Sequence, residues 1–235
     1  LGIDVVFRIF SQSRDLPLSR ATRPVRVAVR WATLGDGLYR PTRRRTVETL
    51  NLSEGDTVVD LLCGTGANLP LIADRIGPAG TWIGIDGSEA MLREARARTD
   101  HRLRDDRTRF IEADVVTAPG IERVVETVRT ADAVHSSRVA RIVCTLGWSC
   151  LPNWRSFFGR VFEAASRGTR FAIMDVYNDP PTPGTRLMDW IAASDTQRPV
   201  WEELERRGRA LTVTRYPYRV LQFHPPGASD RRVGR

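Results

Sequence analysis

Lysine is absent from this 235-residue chain: all 36 basic residues are arginine. That excludes a lysine general base or Schiff base, and the arginine bias is that of a GC-rich genome. Only three histidines are present. The three cysteines (Cys63, Cys144, Cys150) have no zinc-ligand spacing, so no metal is expected. An odd cysteine count without a disulfide framework suits a reducing compartment, and the cytoplasm is the expected location. No apolar run approaches the ~18 residues that cross a bilayer, so no transmembrane segment is expected. The opening Leu1-Gly2-Ile3-Asp4-Val5-Val6-Phe7 lacks the charged region and cleavage site of a signal peptide. It also lacks an initiator methionine, which leaves open that the natural N-terminus lies upstream.

Charge is in excess of one sign. The formal net charge is +8 and the sequence pI about 10.5, a balance that favours nucleic acid or anionic lipid headgroups. The arginines are spread along the chain, which reads as a solvated surface, with Arg43-Arg44-Arg45 as the one cluster. These three lie in the first turn of a helix that Pro41 would start. The macrodipole disfavours cations there, so a bound anion would resolve the conflict; a solvated face is the simpler account.

The stretch Val58 to Leu69 organises the rest. A short apolar run, the mark of a strand buried on both faces, breaks at Gly64 and Gly66. Leu69, Ile72, Ala73 and Ile76 then resume at the spacing of one helical face and stop at Gly77-Pro78. Strand, glycine turn and helix in that order place a ligand site at the carboxyl end of a strand. A dinucleotide fingerprint would need a third glycine three residues after Gly66, where Leu69 stands. An acid before the loop, Asp60, suits a ligand that carries positive charge. Trp82-Ile83-Gly84-Ile85 ends in Asp86, an acceptor for ribose hydroxyls, and Ser88 can cap the helix that follows. A third strand, 108–113, ends in Asp114-Val115, an acceptor for an exocyclic amine beside an apolar contact.

Asp60-x-x-Cys63-Gly64-Thr65-Gly66, then Gly84-Ile85-Asp86-x-Ser88-x-x-Met91-Leu92, then Glu112-Ala113-Asp114 resembles the class I S-adenosylmethionine-dependent methyltransferases. Within them it is most similar to the group with the quinone-biosynthesis and phosphatidylethanolamine methyltransferases. The resemblance covers about residues 35–177. It implies a Rossmann-like, seven-stranded, mostly parallel α/β sheet with helices on both faces and an N-terminal helical cap. It implies S-adenosyl-L-methionine as cofactor, held by Tyr39, Asp60, Cys63, Gly64, Gly66, Asp86, Gly87, Met91, Asp114, Val115 and Cys144. The end of strand four faces the transferred methyl in such enzymes, which makes Thr145 a candidate hydrogen-bonding partner of the substrate and Trp148 a candidate apolar or cation–π wall. No catalytic residue is assigned, because in-line displacement on a sulfonium chiefly needs orientation and exclusion of water. The expected acceptor is a small molecule or lipid headgroup. Nucleic acid is not an expected partner, and peripheral contact with an anionic membrane is left open. The alternatives are an RNA methyltransferase and a donor-binding protein without turnover.

The remaining chain divides into a cap or lid (1–40), the methyltransferase domain (41–224) and a disordered tail (225–235). Val25 to Trp31 alternates like a strand, whereas the resemblance implies a helical lid. Pro119-Gly120 reads as a break before a short helix over 121–128, with His135 in an irregular stretch beyond it. Strand four runs over 139–146, and Asn153 caps a helix faced by Phe157, Phe158, Val161, Phe162 and Ala165. Strand five covers 171–176. Tyr177-Asn178-Asp179-Pro180-Pro181 is similar to a motif of enzymes that methylate amino groups on bases, but it stands after strand five instead of strand four and reads as a linker. Helices over 185–208 and an antiparallel pair, 211–216 and 218–223, close the domain.

Overall fold

The computed structural model describes residues 37, 39–98, 103–133, 140–166, 168–177, 183, 186, 195–199 and 202, and the backbone of 209–216 and 218–224. The expected strand or lid over 1–36, His135, most of the 178–208 linker and helices, and the tail from 225 lie outside them.

The elements follow in alternation. Helix α1 spans 39–49, then come β1 (Thr57–Leu61), α2 (Leu69–Ile76), β2 (Thr81–Asp86), α3 (Glu89–Ala97), β3 (Thr108–Glu112), α4 (Ala118–Ala133), β4 (Arg141–Thr145), α5 (Trp154–Ala164) and β5 (Arg170–Asp175). The body of the sheet is parallel, in the order β3-β2-β1-β4-β5. Strand β7 (Tyr218–His224) pairs antiparallel with β5, and β6 (Arg209–Tyr216) pairs antiparallel with β7.

Alternation along each strand divides the core between the two faces. Val59, Leu61, Ile83, Ile85, Ile142 and Cys144 pack with Val124 and Val128 of α4 and with Phe157, Phe158 and Val161 of α5. Their neighbours Val58, Trp82 and Val143 face the other way, against Val47 of α1 and Leu50 just after it, Leu69 and Ile72 of α2 and Leu92 of α3. Helices therefore cover both faces, and β1 and β2 are buried along their whole lengths.

Two local expectations change. Helix α4 begins at Ala118 and runs to Ala133, so Pro119-Gly120 opens the helix instead of breaking the chain. Proline is tolerated in a first turn because the N–H it lacks has no intrahelical partner there. Thr117 Oγ1 accepts from Gly120 N (3.2 Å) in the manner of a cap, and a Cβ at Gly120 would lie 1.9 Å from the Asp114 carbonyl oxygen, so glycine is needed for the close approach. Asn153 stands at the N-cap of α5 without capping it. Its Nδ2 instead donates to Val115 O (3.0 Å), tying α5 to the loop after β3.

Candidate functional site

Strand order reverses between β1 and β4. Such a switch point leaves a crevice at the carboxyl ends of the strands, where open α/β sheets take their ligands. The glycine loop lies on this crevice. Gly64 (φ 56°) and Gly66 (φ 75°) are both left-handed, the region a Cβ penalises. Gly66 has a packing reason as well, since a Cβ there would meet Ala95 Cβ at 3.0 Å. Leu62 (φ 54°) and Leu146 (φ 61°) are left-handed without being glycine, one just past β1 and the other just past β4. The Leu62 side chain lies over Gly147, where a Cβ would come within 2.5 Å of Leu62 Cδ1. Strain of this kind, of order 1–3 kcal/mol per residue, tends to collect at functional sites.

Asp86 closes β2 and binds the loop to it. Its Oδ2 accepts from Gly64 N (2.9 Å) and its Oδ1 from Ser88 N (2.9 Å). Each oxygen keeps a further lone pair, so loop anchoring and ligand binding are compatible. Burial pushes its carboxyl up to about 6, against the lowering effect of the Ser88, Gly64 and Gly87 backbone. Ser88 caps α3 as expected, accepting from Met91 N (3.4 Å). Met91 is buried beneath the site, and Gly87 lies against Asp114, where a Cβ would be 3.3 Å from the Asp114 Cα. Asp114 is exposed, with Oδ1 accepting from Val116 N (3.0 Å), and Val115 beside it is buried.

Asp60 is wholly buried. Asn68 Nδ2 donates to its Oδ1 (2.9 Å) and to Thr145 Oγ1 (3.0 Å). Asn68 stands at the N-cap of α2 but makes no cap bond, because its amide is turned inward. Arg43 Nη1 donates to Asn68 Oδ1 (3.3 Å) and to Thr145 Oγ1. One buried network thus joins α1, β1, the glycine loop and the end of β4. Asp60 Oδ2 makes no hydrogen bond among the described residues. Desolvation pushes the Asp60 carboxyl up to about 7, partly offset by the Asn68 bond and the Arg43 charge.

The solvated-face reading fails for Arg43, which is 6% exposed. Tyr39, Arg43, Thr46, Val47 and Leu50 are all buried, and their spacing is that of one helical stripe. That periodicity was the available signal for Arg43; Asn68 offered only its nearness to the glycines. Arg44 and Arg45 are exposed as expected. Tyr39 packs with Leu146, Met174 and Val176 over the ends of β4 and β5. Thr145 is buried and belongs to the network of Arg43 and Asn68. Trp148 is 1% exposed and packs in the core on the α5 side, its ring centroid 5.6 Å from that of Phe157 and 5.4 Å from that of Phe158. The turn after β4 thus directs it to the opposite face from Thr145. Cys63 and Cys144 are buried thiols whose ionisation burial pushes well above the usual value, which suits packing and not nucleophilic chemistry. Among the described residues no His, Cys, Asp and Glu group could hold a metal ion, and no helix is long and apolar enough to cross a membrane.

These residues define an α/β domain built for a nucleoside-bearing ligand with a cationic end. Bare left-handed glycines admit such a ligand to the backbone, Asp86 and Asp114 can accept from hydroxyl and amine, and the buried Asp60 has one oxygen without a hydrogen bond among the described residues. Residues 52–210 match a family model described as a methyltransferase domain. The chain belongs to that family, among the class I S-adenosylmethionine-dependent methyltransferases, and S-adenosylmethionine fits the donor set just described. A 2-phytyl-1,4-naphtoquinone methyltransferase of Thermosynechococcus vestitus is 41% identical over 68 residues, 29% of this chain and 30% of that protein. The nocamycin O-methyltransferase of Saccharothrix syringae is 36% identical over 77 residues, 33% of this chain and 28% of its own length. The chain thus matches about a third of the length of these relatives or less. An O-methyltransferase family protein from Burkholderia thailandensis shares the fold with a TM-score of 0.66 at 17% identity, over 95% of this chain and 64% of that one.

Proposed function

We propose that this protein transfers a methyl group from S-adenosylmethionine to a small-molecule or lipid-headgroup acceptor by in-line displacement. The observation that carries the reading is the row of three aspartates, Asp60, Asp86 and Asp114, close to the ends of the neighbouring strands β1, β2 and β3 around a left-handed glycine loop. Bound S-adenosylmethionine supplies an electrophilic methyl on a sulfonium, and the chain needs no nucleophile of its own. Asp60 would hold the cationic amino-acid end, directly or through water. Asp86 would accept from the ribose hydroxyls through the lone pairs that Gly64 and Ser88 leave free. Asp114 and Val115 would take the exocyclic amine and the face of the base. Gly64, Gly66 and Gly87 keep the backbone open, while Cys63, Met91 and Cys144 support the site from below. Tyr39 and the apolar cluster at the ends of β4 and β5 would exclude water where the acceptor enters. Residues 1–40 would act as a lid on a seven-stranded domain over 41–224.

The quinone and nocamycin methyltransferases support a small-molecule acceptor. The test is transfer of labelled methyl from S-adenosylmethionine into fractionated cell extract. Label in the organic phase is the expected result. Label in RNA would replace the acceptor class, and donor binding without label in any fraction would leave a binding protein without turnover.

A further inference from the structure

We propose that Arg43 is a positioning residue of the donor site: fixed by Asn68 and Thr145, its guanidinium holds Asp60 in the charged form and so sets the pH range in which the pocket takes a cationic ligand. The inference rests on the donor-site reading above, and deepens it by naming a residue outside the strand-end motifs.

The geometry gives two routes. The first is charge. Arg43 is buried at the inner face of α1, and a cation near a buried carboxylate favours its ionised form. The second is the orientation of an amide. Asn68 Oδ1 accepts from Arg43 Nη1, and Thr145 Oγ1 also donates to it (3.3 Å). With the carbonyl end so engaged, Nδ2 must face Asp60 Oδ1, and it donates there at 2.9 Å. An N–H donor favours a carboxylate over a carboxylic acid. Without the guanidinium the amide could turn over and offer Oδ1 to a protonated Asp60. Arg43 thus acts on Asp60 through Asn68 as well as across space, and the Thr145 hydroxyl holds it in place from the far side of the crevice.

The other groups facing Asp60 do not supply this function. From β2, the Trp82 indole works in the same direction and the Asp86 charge works against it. Cys63 of the glycine loop and Cys144 of β4 are thiols that burial keeps neutral. Arg43 is the one cation acting on Asp60 among the described residues.

The experiment follows the Asp60 carboxyl carbon by NMR as pH is raised in the ligand-free protein, in wild type, Arg43→Gln and Arg43→Lys. Its midpoint should rise by about one unit or more in Arg43→Gln and return most of the way in Arg43→Lys. Calorimetric titration with S-adenosylmethionine should then show binding weakened about five-fold or more near pH 7 in Arg43→Gln and largely recovered near pH 9, where Asp60 is ionised in both proteins. An unmoved Asp60 midpoint, or an equal loss of affinity at both pH values, overturns the assignment, because Arg43 would then act without Asp60. A wild-type protein that binds no S-adenosylmethionine at any pH overturns the donor-site reading and this role with it. Should Arg43→Gln not fold, Thr145→Val keeps the charge and removes its anchor; a smaller upward shift supports the proposal and none overturns it.

Discussion

The two sides of the crevice draw on the chain differently. On the β1–β2–β3 side, carboxylates bind backbone amides close to them: Asp86 takes Gly64 N and Ser88 N, and Asp114 takes Val116 N. On the β4–β5 side, Asp175 at the end of β5 takes Ser149 N and Val176 N in the same way, and the other contacts join residues far apart in the chain. Thr145 is held by Arg43 across 102 residues, Trp148 sinks among phenylalanines, and Tyr39 arrives from α1 to cover Leu146 and Met174. The first side is built mostly from the glycine loop and the strand ends beside it, with Asn153 tying the loop after β3 to α5 and Asn68 tying Asp60 to Thr145. The second is assembled from separate parts of the chain.

The largest effect that would test this contrast is on Trp148. As a core residue it should cost about 3–5 kcal/mol of stability when replaced by alanine, read from denaturant unfolding. Unchanged stability with a lower turnover rate would instead make Trp148 a pocket wall and break the contrast. Next comes Asp86→Ala. The sequence suggests that an acid at the mouth of a site supports little packing, yet Asp86 holds two backbone N–H groups. The variant should lose about 1–3 kcal/mol in the ligand-free protein as well as at least about ten-fold in donor affinity. Affinity lost without stability would mean that the loop holds its shape unaided.

The most gradual effect is the slope of stability with pH. Asp60 and Asp86 have folded-state values raised to about 7 and about 6 from 3.8. A raised carboxylate favours the fold below its unfolded value, and that contribution is lost as pH rises through the folded one. Ligand-free stability should therefore decline between about pH 4 and pH 7, by at most about 1.4 kcal/mol per pH unit for each group. Urea midpoints across that range would check it, and Asp60→Asn should flatten the upper part. An equal slope in that variant would mean that Asp60 does not titrate there.

The sequence was most legible where its signals act over a turn or less. Ser88 caps α3, and Gly64 and Gly66 adopt the left-handed backbone that their lack of Cβ permits. Asp86 closes β2 and Asp114 follows β3, where the apolar run stops as the strand leaves the core, whereas Asp60 lies one residue inside β1 and is wholly buried. The same local reasoning failed at Pro119-Gly120, since a proline can open a helix as well as interrupt one. It failed again at Asn153, whose side chain had a partner on the loop after β3.

The sequence by itself determined the alternation of strands and helices, the glycine loop and the acids along one side of the crevice, because each depends on backbone preferences and periodicities within a short window. Only the tertiary structure decided which arginine of Arg43-Arg44-Arg45 is buried, which face Trp148 takes and which partners turn Asn68 away from capping α2. Those outcomes depend on β1 lying beside β4, with Leu61 opposite Cys144, and on α1 packing across both strands. No local pattern encodes that pairing, so the charge environment of Asp60 exists only once the sheet has formed.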